Sequence, residues 1–178
     1  LAGGLAPSAF AQSAKFPSRP IKLIVPVPPG SGTDLIARTL GQKISEYTSI
    51  PVVIENRGGA SAAIGTDLLA KSAPDGYTLL MLTASQPIAV SLFPKLNYDL
   101  MRDFAPVIIL IASNNILAAS PKLPANSLKE ILELARAKPG VLNYGSLGIG
   151  HATHVDAEWI LREANLQVTH VPYKGGAQ

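Results

Sequence analysis

The sequence has no cysteine, few charged residues and no long apolar run. The absence of cysteine excludes disulfide bonds, CxxC redox chemistry and thiolate metal sites. Asp, Glu, Lys and Arg make up 15% of the 178 residues, a low share beside the usual value of about a quarter. No apolar stretch approaches the ~20 residues of a membrane-spanning helix. These absences exclude a disulfide-stapled miniprotein, but not export, because larger domains can be stable without disulfides.

The residues that are plentiful are apolar side chains and turn formers. Apolar residues make up 47% of the chain, which argues against intrinsic disorder. Glycine and proline each occur 15 times, which suits short buried strands joined by tight turns. The net charge is +3, and Lys and Arg are scattered without a basic run. The charge pattern therefore predicts a solvated surface and no nucleic-acid partner.

Both ends of the sequence carry a signal. Ala9-Phe10-Ala11 fits the small-x-small rule of signal peptidase, with cleavage before Gln12. We expect residues 1–11 to be the remnant of a clipped signal peptide, against the alternative of an ordinary N-terminal tail. At the other end, residues 175–178 directly follow a predicted strand. We expect the sequence to be interrupted there rather than to finish a domain.

In the first half, short apolar runs alternate with helical patterns. Residues 20–27, 51–55 and 77–83 predict strands, whereas residues 34–47 and 62–70 predict helices. A strand–helix–strand–helix–strand order at this spacing predicts βαβ units and a parallel sheet. The third strand is apolar on both faces, as expected when crossover helices cover both sides of a sheet. The fold class is therefore α/β.

The second half shows a less regular pattern. Residues 86–104 predict no regular element, and a domain crossing is placed near Phe104-Ala105-Pro106. Ser127 and Glu130 form a capping box that opens a helix through Ala137. The remaining predicted elements are strands at 107–112, 116–119, 142–144 and 167–171, and a helix at 151–164.

The turn between the first strand and the first helix is the first candidate site. Its glycines allow a close approach to the backbone, and the helix beyond it presents unpaired N–H groups with a partial positive charge. Such a turn receives a carboxylate or phosphate without a charged side chain. An ordinary tight turn with a good N-cap is the alternative, and both can be true. The candidate ligand-binding residues are Pro29, Gly30, Ser31, Gly32, Thr33 and Asp34, the last as a cap or as a group that orients a neighbour.

Nucleotide binding is disfavoured at this turn. The G-x-G-x-x-G pattern would need a third glycine at position 35, where Leu35 stands. A P-loop would need Gly-Lys-Ser or Gly-Lys-Thr after Gly30, and neither occurs there.

The segment from Gly145 to His154 repeats the same design. A strand leads into a glycine-rich turn and then into a helix with polar residues in or near its first turn. Two anion-receptive turns, one in each predicted domain, indicate a ligand held in a cleft between lobes that close over it. The candidate residues here are Ser146, Gly148, Gly150, His151, Thr153 and His154.

Catalytic and metal sites find little support. His151 and His154 could share a helix face, but there is no HExxH motif, and His170 lies on a different element. Ser146 does not lie in a Gly-x-Ser-x-Gly elbow. The acidic residues are dispersed, with no local pair that suggests acid–base work. We therefore predict no catalytic residue, no metal and no cofactor.

Taken together, the motifs closely resemble those of the Bug/TctC family, the periplasmic receptors of tripartite tricarboxylate transporters. They occur in family order along nearly the whole chain. The matching stretches are Phe16-Pro17-Ser18-Arg19-Pro20-Ile21, Val25 to Gly30 with Asp34, Val53 to Arg57, Ala73 to Leu80, Tyr98-Asp99 with Asp103 to Val107, Lys138-Pro139-Gly140, Gly145-Ser146 with Gly148, Gly150 and His154, and His170 to Gly175.

The resemblance implies a two-lobed, type II periplasmic-binding-protein-like fold. It implies lobe 1 over residues 12–104 and an incomplete lobe 2 over residues 105–178, with more chain beyond Gln178. The ligand would be a small organic carboxylate, held by main-chain N–H groups, hydroxyls and bridging waters. Thr83-Ala84-Ser85-Gln86 corresponds to a further cleft-lining turn, in which Thr83 and Ser85 are the candidate ligand-binding residues. The implied protein is a periplasmic, monomeric, non-enzymatic receptor that works with membrane permease subunits.

Three departures from the family pattern stand at or near the candidate site. Ser31 replaces a second glycine, and Gly58 to Ala62 replaces a common Pro-Gly-Ala-Gly-Gly segment. His151 stands where serine is common. A protonated imidazole there would favour a second ligand carboxylate, whereas a tolerated surface substitution would change nothing.

Two other functions compete with this interpretation. One is an α/β enzyme that acts on a small anionic substrate, and the other is a sensor subunit that uses the same lobes to signal. Loss of turnover on Ser146→Ala or His154→Ala would indicate the enzyme.

Overall fold

Ten helices and strands follow one another in the computed structural model, which describes residues 16–173. The predicted signal-peptide remnant, and the end of the His170 to Gly175 motif, lie outside the described residues. The elements are β1 (Ile21–Val25), α1 (Gly32–Thr48), β2 (Val52–Asn56), α2 (Ala63–Ala70), β3 (Thr78–Leu80), α3 (Ser85–Leu92), α4 (Leu128–Ala137), β4 (Asn143–Ser146), α5 (Ala152–Glu163) and β5 (Thr169–Pro172).

The first half forms a parallel three-stranded sheet in the order β2-β1-β3. Leu23 in the central strand pairs with Ile54 on one side and with Leu79 on the other. Four of the five residues of β1 are buried, because neighbouring strands and helices surround this strand. The α/β class and the parallel strand pairing predicted from the sequence are confirmed.

The core of this half lies between the sheet and helix α1. Leu23, Val25, Ala37 and Met81 are buried together there. Gly41 lets the helix approach β2 closely, because a Cβ at this position would stand 3.2 Å from the Val52 and Ile54 side chains. Packing on one face therefore fixes how α1, and the turn before it, sit on the sheet.

The second half is a smaller unit. Strands β4 and β5 form a parallel pair in which Tyr144 stands opposite His170. Helix α5 packs on β4, yet none of its residues is fully buried. Of the described hydrophobic residues beyond position 104, Ala135 alone is buried.

The structure corrects two predictions about strands. Residues 107–112 and 116–119 form no strand, although their composition favours one. A strand needs hydrogen-bonded neighbours, and no strand of the described chain pairs with these residues. Their side chains are largely exposed, with Val107 at 80% and Ile109 at 86%.

Helix α3 was missed by the sequence prediction, which placed no regular element within residues 86–104. Pro87 lies in its first turn, where proline costs no helical hydrogen bond. Helix α1, with 17 residues, is the longest within residues 16–173, and no described helix combines the length and apolar character needed to cross a membrane.

Candidate functional site

The candidate residues lie where strands end and helices begin. Turns follow β1, β2 and β3 at the carboxyl edge of the first sheet, and another follows β4 in the second sheet. Ligands of open parallel sheets bind at this edge, because helix N-termini and flexible turns meet there. The turns after β1 and β4 were predicted from the residues and the turn after β3 from the family resemblance, whereas no role was predicted for the turn after β2.

The turn after β1 is shaped by its own residues. Ser31 is the N-cap of α1, and its hydroxyl accepts the Asp34 N–H at 3.3 Å. Gly30 has φ of +79°, which glycine adopts without strain. A Cβ placed on Gly32 would meet no atom within 4 Å, so the space over the turn is open. The first N–H groups of α1, including those of Gly32 and Thr33, have no carbonyl one helical turn behind them.

Asp34 organises this turn from within. Its carboxylate is buried and accepts hydrogen bonds from the Gly30 N–H at 2.9 Å, from Arg38 Nε at 2.9 Å and from Asn56 Nδ2 at 2.8 Å. The Arg38 hydrogen bond, with those from Gly30 and Asn56, lowers the pKa of Asp34 to about 2 despite its burial. Asp34 thus orients its neighbours, one of the two roles that the sequence left open. Arg38 and Asn56 were not predicted.

The turn after β3 is held by Gln86, which is fully buried. Its Oε1 accepts the Thr83 N–H and the Thr83 hydroxyl, both at 2.8 Å. Its Nε2 donates to the Met81 carbonyl at 3.3 Å. The predicted residues Thr83 and Ser85 therefore stand at this edge, with Thr83 half-buried and Ser85 buried. The resemblance placed Gln86 in this cleft-lining turn, but its part in holding the turn was not predicted.

The turn after β4 contains two glycines with positive φ, Gly148 at +126° and Gly150 at +75°. The Ser146 hydroxyl accepts the Gly148 N–H at 3.1 Å. The Leu147 N–H donates to the Thr153 hydroxyl at 3.1 Å, which ties the turn to the first turn of α5. The predicted residues of this segment are therefore brought together.

His151 is the N-cap of α5, in place of the serine common in the family. Its Nδ1 accepts the Thr153 N–H at 3.2 Å, so this nitrogen carries no proton in the bonded state. Burial lowers the pKa of His151, and the Asp156 charge only partly opposes the shift. The imidazole is therefore a helix cap, and its effect on ligand preference stays a prediction.

A stack of three rings stands behind this turn. The rings of Tyr144 and His170 are 4.8 Å apart, and those of His170 and His154 are 4.2 Å apart. His170 Nε2 lies 2.7 Å from the Ser146 hydroxyl, and Tyr144 hydrogen-bonds to Glu158. His170 was not a predicted site residue, and its place opposite Tyr144 in parallel strands is the signal that could have found it.

The loop between β2 and α2 connects the two halves. The Ser61 hydroxyl donates to the Ile149 carbonyl at 3.1 Å. A Cβ on Gly150 would overlap the Ser61 hydroxyl and the Leu92 side chain, so the second turn packs tightly on this loop. At the other end of the loop, a Cβ added to Gly58 would stand 3.4 Å from the Val27 carbonyl carbon, so the loop also lies beside the turn after β1.

The backbone of this loop is unusual. Ala60, Ser61 and Ala62 have φ of 47°, 50° and 71°, a left-handed conformation that non-glycine residues seldom adopt. Three such residues in succession store strain, which is typical of functional sites. The departure of Gly58 to Ala62 from the family pattern was noticed in the sequence, but no role was assigned to it.

Charged groups at the site are already paired. Arg38 bonds to Asp34, and Arg57 lies 2.6 Å from Glu55. No group of three or more metal-ligating side chains occurs within residues 16–173. The donors that these turns can offer a ligand are therefore backbone N–H groups and hydroxyls. A separate surface depression of about 550 Å³ lies elsewhere, between the end of α4 and the start of β5.

Comparison with known proteins agrees with this architecture. Residues 36–178 match the model of the tripartite tricarboxylate transporter family receptor. BugT from Bordetella pertussis is 39% identical over 162 residues, which cover 90% of this chain and 50% of BugT. The chain thus spans about half the length of this relative.

Three solved structures are similar to the chain, and each aligns with 90% of it. The first, described as a periplasmic transporter, is 40% identical, with a TM-score of 0.82 over 54% of that protein. An R. palustris protein with adipate is 30% identical, with a TM-score of 0.76 over 54% of its length. MatC from Rhodopseudomonas palustris with bound malate is 29% identical, with a TM-score of 0.75 over 55% of its length. The chain belongs to the tripartite tricarboxylate transporter receptor family.

Proposed function

We propose that this chain is part of an exported solute-binding receptor. In the proposed function, the receptor captures a small organic carboxylate between two lobes in the periplasm and delivers it to the membrane subunits of a tripartite transporter. Family membership supports the receptor role, and the adipate and malate bound to similar proteins support the ligand class. The lobes would be residues 12–104 and the segment that begins at residue 105.

The observation that carries the proposal is the contact between the two halves at the site. The Ser61 hydroxyl binds the Ile149 carbonyl, which draws the turn after β4 to the loop beside the turn after β1. A ligand of a few carbon atoms at this junction would contact both turns at once. That geometry suits a receptor whose affinity comes from closure of two lobes.

The chemistry of the turns favours a carboxylate. The N-terminus of α1 directs unpaired N–H groups and a partial positive charge toward the open space over Gly32. Thr33 adds a hydroxyl, and Thr83 and Thr153 stand at the other turns. Since Arg38 and Arg57 are already neutralised by carboxylates, the proposed site would recognise an anion through neutral donors.

Isothermal titration with malate and adipate tests the proposal. We expect saturable binding by at least one of the two, together with an increase in Tm, because a ligand that binds the folded state stabilises it. Thr33→Ala should weaken binding. Thr39→Ala is the matched control, because its hydroxyl lies on the same helix and bonds to the Leu35 carbonyl at 2.9 Å, away from the turn.

Two results would count against the receptor. One is the absence of heat and of a Tm change with malate, adipate and a wider panel of di- and tricarboxylates. The other is equal weakening by Thr33→Ala and Thr39→Ala, which would place the ligand elsewhere.

An enzyme is the second candidate, because Ser146 and His170 form a hydrogen bond of the kind found in nucleophile–base pairs. The partner of Ser146 is thus His170, not the His154 considered from the sequence. Two features disfavour the enzyme. Ser146 is only 5% exposed, and no described carboxylate hydrogen-bonds to His170 to orient its ring. Ester hydrolysis that disappears in both Ser146→Ala and His170→Ala would favour this candidate over the receptor.

A further inference from the structure

All three histidines of the chain lie at the turn after β4. His151 is the residue before α5, and His154 is in the first turn of this helix. His170 is on the neighbouring strand β5. Histidine is the side chain whose charge ordinarily changes between pH 5 and 8. Side-chain protonation in that range is therefore concentrated at one of the two proposed ligand-binding turns.

Two of these imidazoles hold backbone N–H groups in the same way. His151 Nδ1 accepts the Thr153 N–H at 3.2 Å, and His154 Nδ1 accepts the Gly150 N–H at 3.3 Å. An acceptor nitrogen carries no hydrogen, so both rings are neutral, with their proton on Nε2. Protonation would add a hydrogen to Nδ1, so that the ring nitrogen and the backbone N–H group would both be donors and could not form a hydrogen bond. Each bond can therefore exist only while its ring is neutral.

The third imidazole links His154 to the Ser146 hydroxyl. His170 stacks on His154 at 4.2 Å and lies 2.7 Å from the Ser146 hydroxyl through Nε2. The Ser146 hydroxyl also lies 3.3 Å from the Gly148 carbonyl, to which it can donate. Protonation of His170 would make Nε2 a donor to Ser146 and would exclude the arrangement in which this nitrogen accepts from the hydroxyl.

The surroundings of His151 and His170 favour the neutral form of these two rings. Burial, followed by the adjacent His154, lowers the pKa of His170, whereas the Glu158 carboxylate opposes this shift. Burial lowers the pKa of His151 against the opposing charge of Asp156. Tyr144, stacked on the other face of His170, stays neutral because burial and its hydrogen bond to Glu158 raise its pKa.

We propose that His151, His154 and His170 form a proton-sensitive clasp, in which neutral imidazoles hold the turn after β4 and protonation opens it and weakens carboxylate binding. The three residues are positioning residues, because they act through the Gly150 and Thr153 N–H groups and the Ser146 hydroxyl. The weakening of ligand binding rests on the function proposed above, whereas the opening of the turn does not.

The direction of the pH effect follows from the neutral rings. A histidine with a lowered pKa binds a proton more readily in the unfolded or open state than in the closed state. The clasp is therefore intact above about pH 6.5, the ordinary imidazole value, and is lost as the pH falls below it. A direct ion pair between a protonated histidine and the ligand would give the opposite trend, with tighter binding in acid.

Nuclear magnetic resonance tests the opening of the turn without a ligand. In the ¹⁵N-labelled chain, we expect the amide signals of Gly150 and Thr153 to shift as the pH is lowered from about 7.5 to 5.5, with the midpoints of the His154 and His151 ring signals. If the ring signals titrate while both amide signals stay constant, the clasp is wrong. This measurement needs no variant, so it remains valid if a substitution impairs folding.

Two substitutions separate the contributions of His151 and His154. His154→Asn places an amide oxygen near the position that Nδ1 of His154 occupies. His151→Ser provides a hydroxyl as the N-cap of α5. Neither replacement side chain changes its charge between about pH 5.5 and 7.5, the range of about two pH units used in this titration. His154→Asn should make the Gly150 signal insensitive to pH while Thr153 still responds, and His151→Ser should do the reverse. Unchanged responses of Gly150 in His154→Asn and of Thr153 in His151→Ser would overturn the assignment of the two bonds.

Titration with malate tests the effect on binding. We expect Kd at about pH 6.0 to exceed Kd at about pH 7.5 by at least about threefold, since each proton released on binding changes affinity up to about tenfold per pH unit. In the double variant His151→Ser/His154→Asn, this ratio should be smaller than in the wild type, whatever its affinity at either pH, because only His170 of the clasp remains.

The outcomes distinguish the two proposals. Malate binding that is equal at both pH values, or tighter in acid, overturns the link between the clasp and the ligand. If neither malate nor adipate binds at either pH while the Gly150 and Thr153 signals titrate as expected, the proposed function fails and the clasp is supported.

Discussion

The two halves of the described chain differ in how their elements are held. In residues 16–104, three strands and the helices α1 and α2 on opposite faces of the sheet enclose side chains such as Val25 and Ile24, which are fully buried. In residues 105–173, two strands and two helices bury Ala135 and Ser146 but none of the residues of α5. The first half therefore has a core of its own, whereas the second is organised mainly by hydrogen bonds around one turn.

The comparison shows that the turn after β4 is held in place by hydrogen bonds although the second half has only a small hydrophobic core. The turn after β1 is positioned by a helix packed on a sheet, and the turn after β4 by histidines, hydroxyls and the Ser61 contact. We therefore expect substitutions in the first half to change global stability. Substitutions in the second half should change local order and ligand contacts.

The largest effect is expected in the core of the first half. Ile24→Ala removes a fully buried side chain and should lower the free energy of unfolding by about 2–5 kcal/mol. Ile109→Ala is the matched control in the second half, because Ile109 is 86% exposed, and its effect should stay within about 0.5 kcal/mol. Urea unfolding measures both, and similar losses would show that the second half also has a core.

Two glycines of the second half test the contact between the halves. Gly150 and Gly140 share φ of +75°, but only Gly150 has atoms of the first half around its Cβ position. Gly140→Ala should cost about 1 kcal/mol from backbone strain alone. Gly150→Ala should cost a further 1–3 kcal/mol or so, because Ser61 and Leu92 must move. Equal losses in thermal unfolding would mean that the contact does not stabilise the fold.

The buried carboxylate of the first turn should have an intermediate effect. Asp34→Asn removes the charge that binds Arg38, Gly30 and Asn56, and should cost about 1–3 kcal/mol. Because the folded pKa of Asp34 is about 2 and its ordinary value 3.8, the stabilisation is present above pH 3.8 and is lost as the pH falls toward 2. Unfolding measured between pH 5 and 2 follows this loss.

Glu46→Gln provides the control for that measurement. Glu46 is on the same helix, but its bonds to Lys43 and Gln42 are exposed, so the free energy of unfolding should stay nearly unchanged. If Asp34→Asn shows the same acid transition as the wild type, the assignment to Asp34 is wrong.

The smallest expected effect concerns helix caps. Ser31 caps α1 and Ser127 caps α4, each through its hydroxyl, and removal of either should cost about 1 kcal/mol. Ser31→Ala should lower the midpoint of global unfolding. Ser127→Ala should instead speed amide hydrogen exchange in α4 with little change in that midpoint. The same global shift in both variants would indicate that the halves unfold as one unit.

The sequence predicted local order better than pairing. Capping by Ser127 and the glycine-rich turns follow from patterns within a few residues, and the parallel strands of the first half follow from the alternation of strands and helices. The strands predicted at 107–112 and 116–119 failed because strand formation depends on a neighbour, which composition does not reveal.

The same limit applies to the candidate site. The residues of the turns after β1 and β4 could be identified from the sequence, since glycines, hydroxyls and helix starts are local, whereas the turn after β3 was predicted only from the family resemblance. The roles of Arg38, Asn56, Gln86 and His170 could not, because each arises from a contact between elements distant in sequence or from burial in the fold. The contact of Ser61 with Ile149 spans the two halves and has no sequence signature.

The most direct test of the account is to map the ligand on the amide spectrum of the chain while malate or adipate is added. The account predicts that the signals of Gly32, Thr33, Gly148 and Gly150 shift together with a single Kd, because one carboxylate ligand contacts both turns. Residues around the separate depression, such as Gly140 and Leu166, should not shift. Shifts confined to that depression, or to one turn alone, would contradict the claim that the two turns form one site.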